Sequence, residues 1–335
     1  MNILLTGGLG FIGSHCALDL IKNNHSPIVI DNCSTSKEIT LSRLEKISQN
    51  EISFHKVDLT NLHDIDKVFK SYDIHSVIHL AGYKSVTESM LDPIKYYNNN
   101  ITGSINLLKT MKKYSVKKIL FSSSATVYGN PNYLPIDESH NLKPVNVYGE
   151  TKLITERIIE KIVNSEKNWS AISLRYFNPI GSYNRGLLGE DAKLISDNLV
   201  PQILEKISNE ESILRIYGCN FDTDDGSAIR DYIHISDLVE GHILGIKYLD
   251  MNNGFNTFNL GSGKGTSVIE VLDMFKKISK KEIPYIISKP RDGEIPEYFC
   301  DASKAFNQLK WKAKRNLEEM CSDAFLWNKR LKMLN

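Results

Sequence analysis

The chain has 335 residues, 41% of them hydrophobic and 24% charged, and carries a formal net charge of +1 at pH 7. That length accommodates about two domains with sizeable cores. So balanced a charge offers no electrostatic attraction to nucleic acid or an acidic membrane, and no apolar run approaches the roughly 18 residues of a membrane span.

The first strand is expected at once, over Asn2-Ile3-Leu4-Leu5-Thr6, which leaves no room for a signal peptide and points to the cytoplasm. Directly after it, Thr6-Gly7-Gly8-Leu9-Gly10-Phe11-Ile12-Gly13 places glycines at Gly7, Gly10 and Gly13 where a helix should begin. Glycines there permit a tight turn and bring a pyrophosphate close to backbone N–H groups at the positive end of a helix. A glycine triplet alone is a weak signal. Its place behind a strand, with Asp31 closing the second strand, makes it a dinucleotide site. Asp31 would accept hydrogen bonds from the adenosine ribose. A 2′-phosphate there would face the carboxylate, a repulsion of about 4 kcal/mol for unit charges about 4 Å apart at an effective dielectric of about 20. The expected cofactor is therefore NAD rather than NADP.

Short apolar runs then alternate with helix-like stretches, the runs lying at residues 3–6, 28–31, 53–57, 76–81, 118–123 and 171–175. Such alternation predicts βαβ units and a parallel sheet covered on both faces. The fold class read from this is α/β: a Rossmann-type doubly wound parallel sheet with a smaller mixed α/β C-terminal substrate domain. Asp58, ending the third strand, is placed to contact the adenine, and Ala81-Gly82, ending the fourth, leaves room for the cofactor backbone. Asp92-Pro93 reads as an N-cap and first-turn proline opening a helix towards Tyr114. His75 and His79 are four apart, but His79 falls in a strand-like run, so no metal site is expected. The five cysteines are scattered and contain no CxxC pair, which argues against a disulfide framework or a zinc site.

The strongest chemical signal follows the strand that ends in Ser122-Ser123-Ser124. Tyr148 and Lys152 are one helical turn apart at the expected start of a helix. A phenol with a pKa of about 10 is a poor base, and an ammonium within about 4–6 Å favours its ionised form. The YxxxK spacing also occurs at Tyr114/Lys118 and Tyr285/Lys289. The first of these straddles a helix end and a strand, and the second lies within a strand, where four residues span about 13 Å. Only Tyr148 and Lys152 have the geometry of a proton-relay couple.

Beyond Asn178 the texture changes to glycine and proline punctuation, and a second domain is expected. The division read here assigns 1–177, with about 231–254, to the cofactor domain, and 178–230 with 255–335 to the substrate domain. The glycine cluster Gly261-Ser262-Gly263-Lys264-Gly265 fails the phosphate-loop pattern and reads as an ordinary loop.

TGGLGFIG at 6–13, SSSATVYG at 122–129 and YGETK at 148–152 resemble the extended short-chain dehydrogenase/reductase family. Within it, the segments 96–100, 174–179 and 230–234 resemble the UDP-glucose 4-epimerase family, with the match running from Met1 to beyond Trp311. The resemblance implies a catalytic set of Ser124, Tyr148 and Lys152, and an NAD that is tightly held and regenerated in each cycle. It adds Phe11, Ile12, Asn32, Thr35, Ser36, Leu59, Leu80, Lys84, Asn99, Ser122 and Phe177 to the cofactor lining. For a UDP-hexose substrate it implies Lys84, Ser124, Thr126, Tyr148, Asn178, Asn198, Leu199, Tyr217, Arg230, Tyr232, Arg291, Glu294 and Tyr298. Arg230 and Arg291 would grip the diphosphate, a task suited to a planar, permanently charged fork. Glu294 stands where the family usually has an aspartate, and its extra methylene would move the carboxylate.

The activity so implied is interconversion of UDP-glucose and UDP-galactose through a 4-keto intermediate. A bulky Tyr298 at the sugar pocket would exclude 2-acetamido groups, the alternative being a UDP-N-acetylhexosamine 4-epimerase. Dehydratases and decarboxylases share the cofactor site, yet family dehydratases usually carry an Asp-Glu pair where this chain has Ala125 and Thr126. An NAD-sensing binding protein would keep the fold without needing Tyr148 and Lys152. The resemblance also implies a homodimer formed by a four-helix contact, through helices at about 93–114 and 150–164.

Overall fold

The structure, a computed structural model, describes residues 1–193, 198–209, 213–290 and 294–334. Six strands arise where the apolar runs place them: β1 (Asn2–Thr6), β2 (Ser26–Asp31), β3 (Ser53–Lys56), β4 (Ser76–His79), β5 (Lys118–Ser124) and β6 (Ser170–Tyr176). The remaining strands are β7 (Asn178–Ile180), β8 (Leu214–Tyr217), β9 (Ile229–His234), β10 (Gly254–Leu260), β11 (Gly265–Ser267), β12 (Tyr285–Ser288) and β13 (Glu297–Tyr298).

The large sheet has seven strands in the order β10-β6-β5-β4-β1-β2-β3, every neighbouring pair parallel. Successive side chains of a strand leave on opposite faces, so adjacent apolar residues enter different cores. Leu5, Val29, Ile78 and Leu120 pack with the helices Phe11–Lys22 and Ile235–Met251. Leu4, Ile28, Val77 and Ile119 pack with the helices Leu62–Ser71, Gly103–Lys113 and Val147–Ser165. This double covering is why the strands read as continuous apolar runs rather than alternating ones. The chain reverses direction across the sheet between β1 and β4, which opens a crevice at their carboxyl ends.

A second unit is built on β11-β9-β13, with β7 also paired to β9, and on the two-stranded β12-β8. Its core joins the helices Leu199–Ser208, Val268–Ser279 and Leu317–Leu334. Two details depart from the division expected from sequence. Residues 255–260 belong to β10 and extend the large sheet beside β6 rather than entering the second unit. Residues 231–234 belong to β9 and pair with β7 and β11 rather than joining the large sheet. Strand partners depend on long-range register, which local texture does not encode.

Asp92 caps the helix Pro93–Tyr96 as its sequence predicts, accepting from the Lys95 N–H at 3.1 Å. The run towards Tyr114 is interrupted by a π-turn, Tyr97–Thr102, before the helix Gly103–Lys113. Wider turns of this kind recur at functional sites.

Candidate active site

At the end of β1, Gly7 adopts φ +68° and its N–H donates to the Ile30 carbonyl at 2.8 Å. A Cβ on Gly7 would lie 2.8 Å from the Ala81 nitrogen, and one on Gly13 only 2.2 Å from the Gly7 carbonyl oxygen. The glycines thus let the β1 turn lie against both its own helix and the end of β4. Gly10 is the N-cap of the helix Phe11–Lys22 without a side-chain cap, so among the described residues the N–H groups of its first turn, from Phe11 to Gly13, have no side-chain acceptor. A pyrophosphate is suited to that role.

Asp31 is buried and holds this crevice in shape. Its carboxylate accepts from the Leu9 N–H at 3.0 Å, the Cys33 N–H at 2.8 Å and the Ser36 hydroxyl at 2.9 Å. A carboxylate has about four lone-pair sites, so capacity remains for a ribose hydroxyl. Asn32 donates to Asp58 at 2.8 Å, and Asp58 also accepts from the Thr60 N–H and hydroxyl at 2.8 and 2.6 Å. Burial pushes the Asp58 carboxyl up, but the donors from Thr60 and Asn32 outweigh it and hold the group below its ordinary value. The Thr6 hydroxyl accepts from the Leu80 and Ala81 N–H groups at 3.2 and 3.1 Å.

The π-turn contributes Asn99 and Asn100. The Asn100 amide oxygen accepts from the Tyr83 N–H at 2.8 Å and from Asn99 at 2.9 Å, while its NH2 donates to Thr151 at 3.0 Å. This buckles the loop after β4 to the helix that bears Tyr148. Sequence reading placed Asn100 within the segment 96–100 that carries the resemblance but gave it no role of its own.

Ser124 ends β5, and its hydroxyl accepts from the Thr126 N–H at 3.2 Å and the Thr126 hydroxyl at 3.0 Å. Asn146 caps the helix Val147–Ser165 by accepting from the Gly149 N–H at 2.8 Å, which fixes Tyr148 in the first turn. The Lys152 ammonium lies 5.8 Å from the centre of the Tyr148 ring and donates to the Ser122 carbonyl at 2.7 Å. Burial raises the Tyr148 phenol above its ordinary value, and its hydrogen bond with Ser124 works the other way. Burial also lowers Lys152 to about 8, against the attraction of Glu156. Any lowering of the phenol by the Lys152 ammonium is outweighed here by burial. In the protein alone, withdrawal from water dominates both groups.

His79 is satisfied by Thr6 and Ser104, each at 2.8 Å, and burial lowers it to about 3. It is a neutral core residue.

On the other side of the cleft, Asn178 donates to the Asp231 carbonyl at 2.9 Å. The Arg230 guanidinium donates to Glu294, and Tyr232 is buried beside it in β9. The Tyr298 hydroxyl donates to the Ala125 carbonyl at 2.6 Å, with its ring 5.6 Å from that of Phe177. Tyr298 is thereby wedged against the turn after Ser124. Tyr217 ends β8, and Asn198 and Leu199 begin the helix Leu199–Ser208, all in the second unit. Lys84 is ion-paired with Glu190 at 2.7 Å. Arg291 lies outside the described residues.

Two features escaped the sequence. Asp191 pairs with Lys37 at 2.6 Å and Arg43 at 2.5 Å, and the Lys193 N–H donates to the Thr35 carbonyl at 3.0 Å. The segment at 191–193 thus ties down the loop after β2 and the helix Ile39–Ser48 that follows it, with one carboxylate shared between two cations. The glycine cluster at 261–265 is a loop as expected, leading from β10 into β11, with a partner the sequence did not reveal. It wraps the buried Asp231 carboxylate, which accepts from the Ser262 N–H and hydroxyl, both at 2.7 Å, and from the Gly263 N–H at 3.0 Å. Nothing local in either segment announces its distant partner.

A parallel sheet of this winding, with a glycine turn after its first strand and a serine, a tyrosine and a lysine gathered at the end of its fifth, defines an extended short-chain dehydrogenase/reductase. The family model described as GDP-mannose 4,6 dehydratase matches residues 4–324. The UDP-glucose 4-epimerase of Dictyostelium discoideum is 45% identical over 97% of this chain and 95% of its own length. That of Bacillus subtilis is 43% identical over 98% and 96%. The crystal structure of UDP-glucose 4-epimerase from Bifidobacterium longum, in complex with NAD+ and UDP, superposes with a TM-score of 0.95 at 40% identity, covering 98% of both chains. The chain belongs to the UDP-glucose 4-epimerase family.

Proposed function

We propose that the protein interconverts UDP-glucose and UDP-galactose by reversible oxidation at the hexose C4. The carrying observation is the convergence of Ser124, Tyr148 and Lys152 at the end of β5 and the start of the helix Val147–Ser165, in a chain of this family. The crevice fits NAD, because the close-packed glycines and the uncapped helix suit a pyrophosphate and Asp31 suits an unphosphorylated ribose. When bound there, NAD supplies the acceptor and donor for the C4 hydrogen and a positive ring charge that favours the phenolate.

Tyr148 takes the proton from the 4-hydroxyl and returns it. Ser124 hydrogen-bonds the reacting oxygen, and Lys152 supports the phenolate and the cofactor ribose. Arg230 and Arg291 hold the diphosphate, so the 4-keto hexose has few fixed contacts and can turn over. For Arg230, the diphosphate replaces Glu294 as the anionic partner. Ala125 and Thr126 provide no carboxylate at the positions where a dehydratase needs one. The decisive experiment incubates the purified protein with UDP-galactose and no added NAD. UDP-glucose is the expected product, and a product lighter by one water would mean a dehydratase instead.

The wedge of Tyr298 against Ala125 predicts discrimination at the sugar. UDP-N-acetylglucosamine should be turned over at about 1% or less of the UDP-glucose rate, and Tyr298→Ser should raise kcat/KM for the acetylated sugar about tenfold or more. Equal wild-type rates on both sugars would remove Tyr298 from specificity.

We further propose a homodimer through the helices following Asp92 and the helix Val147–Ser165. Leu91 and Ile94 are about four-fifths exposed, with Met90 and Val145 also exposed nearby in sequence, an apolar display that a partner would cover. A monomeric mass by light scattering would refute this. The same reading places the enzyme in cytoplasmic galactose metabolism, and among the described residues no helix is long and apolar enough to cross a membrane. Recovery with the membrane fraction would contradict that location.

A further inference from the structure

A buried polar chain joins the two segments that carry the catalytic side chains. Glu156 lies one turn beyond Lys152 and two turns beyond Tyr148 on the same helix. Arg175 of β6 grips it bidentately, Nε to Oε1 at 3.0 Å and Nη2 to Oε2 at 2.6 Å, and both residues are at most 3% exposed. Arg175 also donates from Nη1 to the Tyr128 hydroxyl at 3.2 Å, which in turn donates to the Asn259 amide oxygen of β10 at 2.6 Å. Tyr128 closes the turn that begins at Ser124.

The surroundings of Lys152 make the Glu156 charge matter. Facing its ammonium are the neutral His79 from β4, the Ser122 carbonyl from β5, the Asn100 side chain behind Gly82, and Tyr148 on its own helix. Among the described residues, Glu156 is the carboxylate whose charge favours the Lys152 ammonium. Arg175 dilutes that charge from β6, and Glu138 and Lys304 lie within electrostatic reach of Arg175.

We propose that Glu156 is a positioning residue: locked by Arg175, its carboxylate sets the catalytic helix against the Ser124 turn and supplies the negative charge that retains the Lys152 ammonium. The inference rests on the Tyr148–Lys152 reading above. The bland alternative is an ion pair that only holds the fold. Buried pairs of that kind are often replaceable by apolar residues of similar volume without loss of stability, which separates the two.

The test is the double variant Glu156→Met with Arg175→Leu, compared with wild type as holoenzyme. The expected result is an unchanged melting temperature, a KM for UDP-galactose within about twofold, and a kcat lower by about 10- to 100-fold. Without the carboxylate, Lys152 loses its proton at lower pH, so the alkaline limb of kcat should move down by about half a unit or more. Lysine Nζ NMR should show the same displacement of Lys152 directly. A folded double variant with wild-type kcat, pH limb and Lys152 titration would overturn the proposal. If that variant does not fold, Glu156→Gln decides by the same titration, an unmoved Lys152 being fatal. Wild-type turnover of UDP-galactose is the control for the underlying reading, whereas the Lys152 titration needs no turnover and judges Glu156 by itself.

Discussion

The Tyr148→Phe enzyme is expected to retain NAD and to lose about 1,000-fold or more in kcat, within the 10²–10⁴ that a positioned acid–base group contributes. The substitution removes one oxygen and little else. The ring stays near the Lys152 ammonium, 5.8 Å from its centre, and Ser124 keeps its two donors from Thr126. Because the N-cap that fixes this turn is Asn146, the helix start does not depend on the phenol. The loss should therefore appear in kcat, with KM for UDP-galactose nearly unchanged and the bound-cofactor absorbance intact. A kcat within tenfold of wild type would exclude the phenol as the proton carrier.

Gly13→Ala should strip the enzyme of its cofactor, lowering NAD affinity by about 100-fold or more, roughly 2.7 kcal/mol. The cause is collision rather than backbone strain, since Gly13 is not among the positive-φ glycines. A Cβ would stand 2.2 Å from the Gly7 oxygen and 2.7 Å from the Gly8 Cα, both backbone atoms that cannot rotate away. Nor can the turn retreat as a whole, because Gly7 is pressed against Ala81 of the neighbouring strand end. The pyrophosphate cradle must deform. Calorimetric titration of the cofactor-free variant with NAD measures the loss, and an affinity within threefold of wild type would show that the turn tolerates the methyl group.

These two predictions draw on opposite kinds of information. The glycine turn, the six strands that alternate with helices, the Asp92 cap and the Tyr148–Lys152 couple were all legible in the chain. Each depends on neighbours within a few residues, where spacing alone sets geometry: period two for a strand, one helical turn for the couple, a glycine wherever a backbone approaches. The UDP-sugar contacts proposed above rest on resemblance alone.

What remained hidden depends on partners far apart in sequence. Register placed β10 in the large sheet, folding carried Asp191 to Lys37 and Arg43, and Asp231 found its donors in a glycine cluster some thirty residues later. The same holds for protonation. Sequence supplied Tyr148 and Lys152, but the extent of their withdrawal from water, and the buried Glu156 beside them, exist only in the packed molecule. Local periodicity determines which elements form, whereas desolvation and charge pairing are properties of the space those elements enclose.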